Sequence, residues 1–152
     1  MTTKNKLDKI FGPVGTSAGI FLFVAGLIIT FFSLKGLVLV LIGAFVGFTS
    51  TGTLIDFEKK RLRFSNNIFG IFPIGQWIYI QSDMKIGIKK SNKVWRAYSR
   101  SNRTLDIANN DYRLILYDSN GREIISIQKS DNIDSAKSNL AKLSNQLGIG
   151  VI

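Results

Sequence analysis

The sequence predicts a membrane α-helical hairpin followed by an α+β domain of about seven antiparallel strands and one C-terminal helix. Three observations carry this. Residues 15–33 and 36–50 are strongly apolar runs without a charged side chain, separated only by Leu34 and Lys35. From residue 54 onward apolar and polar residues alternate, as half-buried strands require. The C-terminal segment returns to helical spacing, with Ile133, Ala136, Leu140, Leu143 and Leu147 on one stripe.

A helix needs about 20 mostly apolar residues to cross the hydrocarbon. Inside lipid only a helix or a closed barrel satisfies its own backbone. Two uncharged runs joined by so short a turn therefore read as a hairpin, and neither run has the amphipathic stripe of a soluble core helix. Gly43 and Gly47 form a Gly-x-x-x-Gly pair, a spacing that lets helix backbones approach closely. The neighbour could be another subunit, or the first helix of the same hairpin through Gly19 and Gly26. Neither span contains an Asp, Glu, Lys or Arg to carry an ion path or proton relay. Residues 1–50 divide into a tail and the hairpin, and residues 51–152 form a second domain. Lys4, Lys6 and Lys9 precede the hairpin, and Lys59, Lys60, Arg61 and Arg63 follow it, against Lys35 alone in the turn. The bias of basic residues toward cytoplasmic flanks places both termini in the cytoplasm and Lys35 on the far side, making the protein multi-pass.

The 152 residues lack cysteine and histidine, which excludes disulfides, thiolate nucleophiles, imidazole bases and the usual zinc and haem ligands. No cofactor or metal site is expected. The net charge of +10 would suggest nucleic acid in a soluble protein, but beside a membrane hairpin it first reports orientation, and no nucleic-acid partner is expected. Asp56 with Glu58, and Asp106 with Asp111, could pair as acid and base, but both sets lie beside turns. No nucleotide loop, serine elbow or metal spacing accompanies them, so the chain is not expected to be an enzyme.

Strands are expected over 54–57 and 61–67, joined tightly through Glu58, Lys59 and Lys60. Others follow over 76–81, 84–90, 94–99, 103–108, 112–117 and 123–128, with Asn120-Gly121 as the clearest hairpin turn. Asp131 can cap the final helix, Asp134 suits its first turn, and Gly148 can end it.

The opening around residues 51–64, together with the run of strands closed by one helix, resembles the pleckstrin-homology-like domains attached to membrane hairpins in small bacterial proteins. The resemblance covers residues 51–149. It implies a half-open barrel plugged at one end by the helix, in a protein of the bacterial inner membrane, and it implies binding or scaffolding more than catalysis. In that family a basic strand turn cradles phosphoinositide phosphates, and Lys59, Arg61 and Arg63 match its positions. The first strand leaves directly from the second helix, however, and lifts this turn about 20 Å from the bilayer if it stands upright. That argues against carrying the role over.

Three sets of residues are candidates for function. Lys85, Lys89, Lys90, Lys93, Arg96, Arg100 and Arg103 make a basic tract with no intervening acid, suited to a protein partner or to anionic lipid headgroups. A solvated strand face with cations along an exposed edge would read the same way. Trp95 and Tyr98 within it suit an interface or a core. Phe69, Ile71, Phe72, Ile74 and Trp77 form an apolar loop that should return to the membrane interface or lie on the hairpin's end. Gly43 and Gly47 are the helix-packing pair. The function these imply is a non-catalytic accessory or assembly subunit docked on an integral membrane protein partner. The alternative is a stand-alone membrane-anchored module that binds anionic lipid or a soluble partner.

Overall fold

The computed structural model describes residues 1–98, 100 and 103–152. Its elements run β1 (Thr2–Lys9), α1 (Gly12–Thr30), α2 (Gly36–Phe48), β2 (Ser50–Asp56), β3 (Arg61–Ile68), β4 (Phe72–Ile74), β5 (Trp77–Tyr79), β6 (Lys85–Tyr98), β7 (Thr104–Tyr117), β8 (Glu123–Ser130), α3 (Ile133–Leu147) and β9 (Gly150–Val151). The protein is α+β, with three helices and two sheets, one of them curled into a half-barrel. One sheet has the order β1-β2-β3-β4, with β5 also pairing β3; the other has the order β8-β7-β6-β9.

The chain divides into two compact units. The β unit comprises Met1–Leu7, Gly52–Ser65 and Gly75–Ile152, and the helical unit comprises Asp8–Thr51 and Asn66–Ile74.

In the β unit, alternation along the strands sends Ile55, Leu62, Ile86, Leu114, Leu116, Ile125 and Ile127 into one core. Helix α3 lays Ala136, Leu143 and Leu147 against it, with Leu140 partly buried beside them. The expected stripe therefore covers the sheet. The cap differs: Asn132, one residue beyond Asp131, accepts the Ser135 N–H at 2.7 Å, because its extended backbone sets the side chain over the first turn. Gly148 ends the helix at φ 69°, a left-handed conformation that a side chain would oppose. Gly121 likewise has φ 76° in the β7–β8 turn, where the Asp118 carboxylate accepts the N–H groups of Asn120 and Arg122.

The strand count is nine among the described residues, against the seven expected, for two reasons. Residues 1–9 are not a tail: they form β1, whose alternate positions Thr3, Asn5 and Leu7 turn inward, and Asn5 Nδ2 donates to the Ile127 carbonyl. Short pairings also add β4 and β9, with β9 parallel to β6, while β5 falls within the strand expected over 76–81. In the opposite direction, the expected strands 84–90 and 94–99 merge into β6, and 103–108 and 112–117 into β7, although Ser99 lies outside the described residues. The polar step at Ser91-Asn92 is not a break, because Ser91 pairs with Asp111 and Asn92 with Asn110. Polar residues facing polar residues let the ladder continue.

Truncating Leu143 to Ala should cost about 2–5 kcal/mol, as for other buried leucines. Denaturant unfolding of the full chain in detergent measures it. A change of a few tenths would mean that α3 is not anchored through this residue.

Candidate functional site

In the helical unit, α1 and α2 pack against each other through glycine. A Cβ added at Gly19 would lie 2.4 Å from the Gly47 nitrogen, one at Gly26 2.6 Å from the Val40 nitrogen, and one at Gly43 2.3 Å from the Phe23 nitrogen. Gly36 sits as tightly on Thr30, and Gly47 less tightly on Ile20, at 3.0 Å. Gly43 and Gly47 thus face the first helix of their own hairpin. With only hydrogens on the inside, the large side chains point outward. Phe21, Val24, Leu27 and Ile28 on α1, and Leu37, Val38, Leu41 and Ile42 on α2, are all exposed. The buried residues of both helices are the glycines and Thr16. A soluble protein does the reverse, placing apolar side chains inside.

Three hydroxyls of this unit return to their own helices, while the buried Thr16 Oγ1 has no partner among the described residues. Ser17 donates to the Pro13 carbonyl at 2.9 Å, Thr30 to Gly26 at 2.7 Å, and Thr49 to Phe45. Each polar side chain so engaged satisfies itself on its own helix. Helix α1, at 19 residues, is long and apolar enough to cross a membrane, whereas α2 has only 13. At 1.5 Å per residue α2 is about 20 Å long, below the roughly 30 Å of hydrocarbon. The chain therefore holds one helix of crossing length rather than the two expected.

Most of the apolar loop belongs to this unit. Phe69 has φ 54°, a left-handed backbone held by its N–H on Thr49 Oγ1 at 3.3 Å, and its ring meets Phe45 edge-on at 5.7 Å. Ile71, Phe72 and Ile74 are exposed. Trp77 does not join them. In the β unit it pairs with Arg63 in the sheet, and the guanidiniums of Arg61 and Arg63 stand 4.2 and 4.8 Å from its ring centre. Two of the cations that match the phosphoinositide turn are thus occupied on an indole. Arg61 is further bonded to Asp56 at 3.0 Å. Partial burial pushes the Asp56 carboxyl up, but the Lys59 N–H and the Arg61 guanidinium together hold it below its ordinary value.

The basic tract lies on β6 and the loop that follows. Strand β8 backs β7 only from Tyr112 to Tyr117, and β9 backs β6 only at Lys85 and Ile86. Beyond these, Ser91–Tyr98 and 104–111 pair with each other alone, as a two-stranded ribbon. Residues opposite one another share a face. Trp95 with Ile107 and Ala97 with Leu105 make one face apolar; Val94 with Ala108, Arg96 with Asp106, and Tyr98 with Thr104 make the other. Trp95 is half-buried and Tyr98 exposed, and neither joins the core.

The period of two also splits the cations, with Lys85, Lys89 and Lys93 on one side of β6 and Lys90 and Arg96 on the other. Acidic partners arrive from neighbouring strands. Lys89 is paired with Glu123, whose hydrogen bond raises the ammonium pKa. Arg96 makes two bonds to Asp106, at 2.8 and 3.0 Å, which raise the guanidinium pKa and hold the Asp106 carboxyl low. Lys93 stands 5.9 Å from the centre of the Trp95 ring, and Arg113 is bonded to the buried Asp111. The tract read as one basic run is therefore two faces, each with part of its charge balanced. Arg100 and Arg103 are exposed near the end of the ribbon. The carboxylates weighed as acid–base pairs are instead bound to arginines at Asp56, Asp106 and Asp111. Among the described residues no group of acids is placed to hold a metal ion.

Compared with protein-family models, curated proteins and solved structures, the chain matches none.

Two outcomes are expected. Gly43→Leu should lower the thermal midpoint of the detergent-solubilised protein, because the clash is with backbone that cannot rotate away; Leu41→Ala, on the exposed face of α2, should leave it nearly unchanged. Asp56, held below its unfolded value of about 3.9, contributes stability that is present above that pH and lost as pH falls through the folded pKa. Unfolding followed from pH 6 to 2 should therefore show a shallower acid loss in Asp56→Asn than in the parent.

Proposed function

We propose that this chain is a non-catalytic integral membrane protein: an accessory or assembly subunit whose hairpin is embedded in lipid and whose β unit engages a protein partner. The observation that carries it is the inverted helix pair, with glycine inside and large apolar side chains outside. Such a surface needs an apolar medium, and self-satisfied hydroxyls suit one without water. The exposed Ile71, Phe72 and Ile74 belong to the same unit and fit the headgroup boundary. The antiparallel helices return the chain to the side it entered, and the basic flanks favour the cytoplasmic side of a bacterial inner membrane.

The β unit, a half-barrel with one C-terminal helix, supports a pleckstrin-homology-like reading, which implies binding. The ribbon of β6 and β7 is its binding element. An isolated two-stranded ribbon is marginal in water, and this one carries Trp95, Ile107 and Leu105 outside the core, where among the described residues no third strand pairs with it. A protein surface presenting apolar pockets with acidic rims suits it.

A second reading, an anchored module for anionic lipid, is favoured by the exposed Lys85, Lys90 and Arg100. Membrane retention after an alkaline carbonate wash tests the shared premise, and recovery in the supernatant rejects it. Stoichiometric co-purification in mild detergent, lost in Trp95→Ser with Leu105→Ser, supports the subunit. Retention of the partner by that variant removes the ribbon from the interface. Tethering of acidic vesicles by reconstituted protein, weakened by salt and by Lys90→Glu with Arg96→Glu, supports the lipid module instead.

A further inference from the structure

We infer that the hairpin enters the bilayer without crossing it, and that its tip ends among the acyl chains of the far leaflet. This rests on the membrane reading above and fixes how deep the insertion goes. Three features of residues 31–35 carry it.

The first is length. Gly36, the first residue of α2, already lies against Thr30, so only the turn extends past the paired helices. Helix α1, at 19 residues, is about 28 Å long, so the limit is set by α2. That helix contributes about 20 Å and the turn about one helical pitch, 5 Å, against roughly 30 Å of hydrocarbon. A bilayer can thin to meet such a mismatch, so length does not decide alone.

The second is composition. Phe31, Phe32 and Leu34 are 89, 87 and 78 % exposed. In a crossing hairpin these three would stand in water or headgroups. In a hairpin that stops short they remain in hydrocarbon, which apolar side chains favour over water.

The third is the backbone. The N–H groups of Phe31, Phe32 and Ser33 donate to the carbonyls of Ile28 and Ile29, Gly36 donates to Ser33, and Lys35 donates to Ser33 Oγ. Turns in water can make such bonds or leave the donors to solvent, whereas in lipid the turn itself must satisfy them, as it does for these. Lys35 is the only ion at this end of the hairpin, and its four-carbon stem is long enough to carry the ammonium to the far phosphates.

The chain has no cysteine, so single-cysteine variants report without background. Ser33→Cys and Lys35→Cys, with Asn120→Cys as reference, are treated with an impermeant maleimide in vesicles, added from each side. We expect Asn120→Cys to react from one side, and both tip variants to react only after detergent dissolves the bilayer. A nitrobenzoxadiazole label attached at position 33 should then emit at shorter wavelength than at 120 and resist dithionite. Reaction of the tip from the side opposite Asn120 overturns the inference and leaves the membrane reading standing. Reaction from the same side as Asn120, in protein that carbonate removes, rejects both.

Discussion

Two helix backbones in near-contact set the terms for the rest of this protein. Where Gly19 meets Gly47 and Gly43 meets Phe23, there is no room for even a methyl group. Nothing large can therefore be buried between α1 and α2, and their phenylalanines, leucines and isoleucines are displaced to the outside. In water this would be an unstable arrangement, since burying apolar surface is the main favourable contribution to folding. In lipid that incentive is absent, and helices associate through close packing of small residues. Such a seam fits the lipid setting proposed above, and so does the return of Ser17, Thr30 and Thr49 onto their own helices.

The β unit obeys the opposite rule. Its apolar side chains converge under α3, and most of its charges lie outside, many of them in pairs, with Asp56 and Asp111 buried beside arginines. Exposed pairs such as Arg96 with Asp106 contribute little stability each, because water screens them and the side chains lose freedom. Their effect is on the surface: they leave β6 with less net charge than its lysines and arginines suggest. What distinguishes the ribbon is its uncovered apolar face, flanked by cations on either side.

The hairpin, the final helix and the Asn120-Gly121 turn were legible because each rests on local signals: uncharged runs, a helical stripe, a glycine in a left-handed turn. The length of α2 was less so, since residues 36–50 read as one run but the helix ends at Phe48 and begins beside Thr30. Strand β1 was missed because its inward positions are Thr3, Asn5 and Leu7, of which only the last is apolar. Its partner β2 lies beyond the whole hairpin, so no local pattern announces the pairing. The pairing of charges along the basic tract was hidden for the same kind of reason. In sequence no acid interrupts it, while in the sheet Asp106 and Glu123 come from other strands in a register that sequence order does not reveal. Trp77 looked like the end of an apolar loop because nothing nearby indicated that Arg61 and Arg63 would flank its ring.

The placement of β1 has a consequence for the order of events during synthesis. This strand leaves the ribosome before α1, yet its sheet neighbour follows α2, so the two can meet only when both helices have been made. The sheet closes around a point where the chain departs into the hairpin and comes back. A hairpin that fails to fold back would leave β1 without its neighbour, and an orphaned strand edge invites pairing with other chains. Completion of the sheet is in this way tied to the helices.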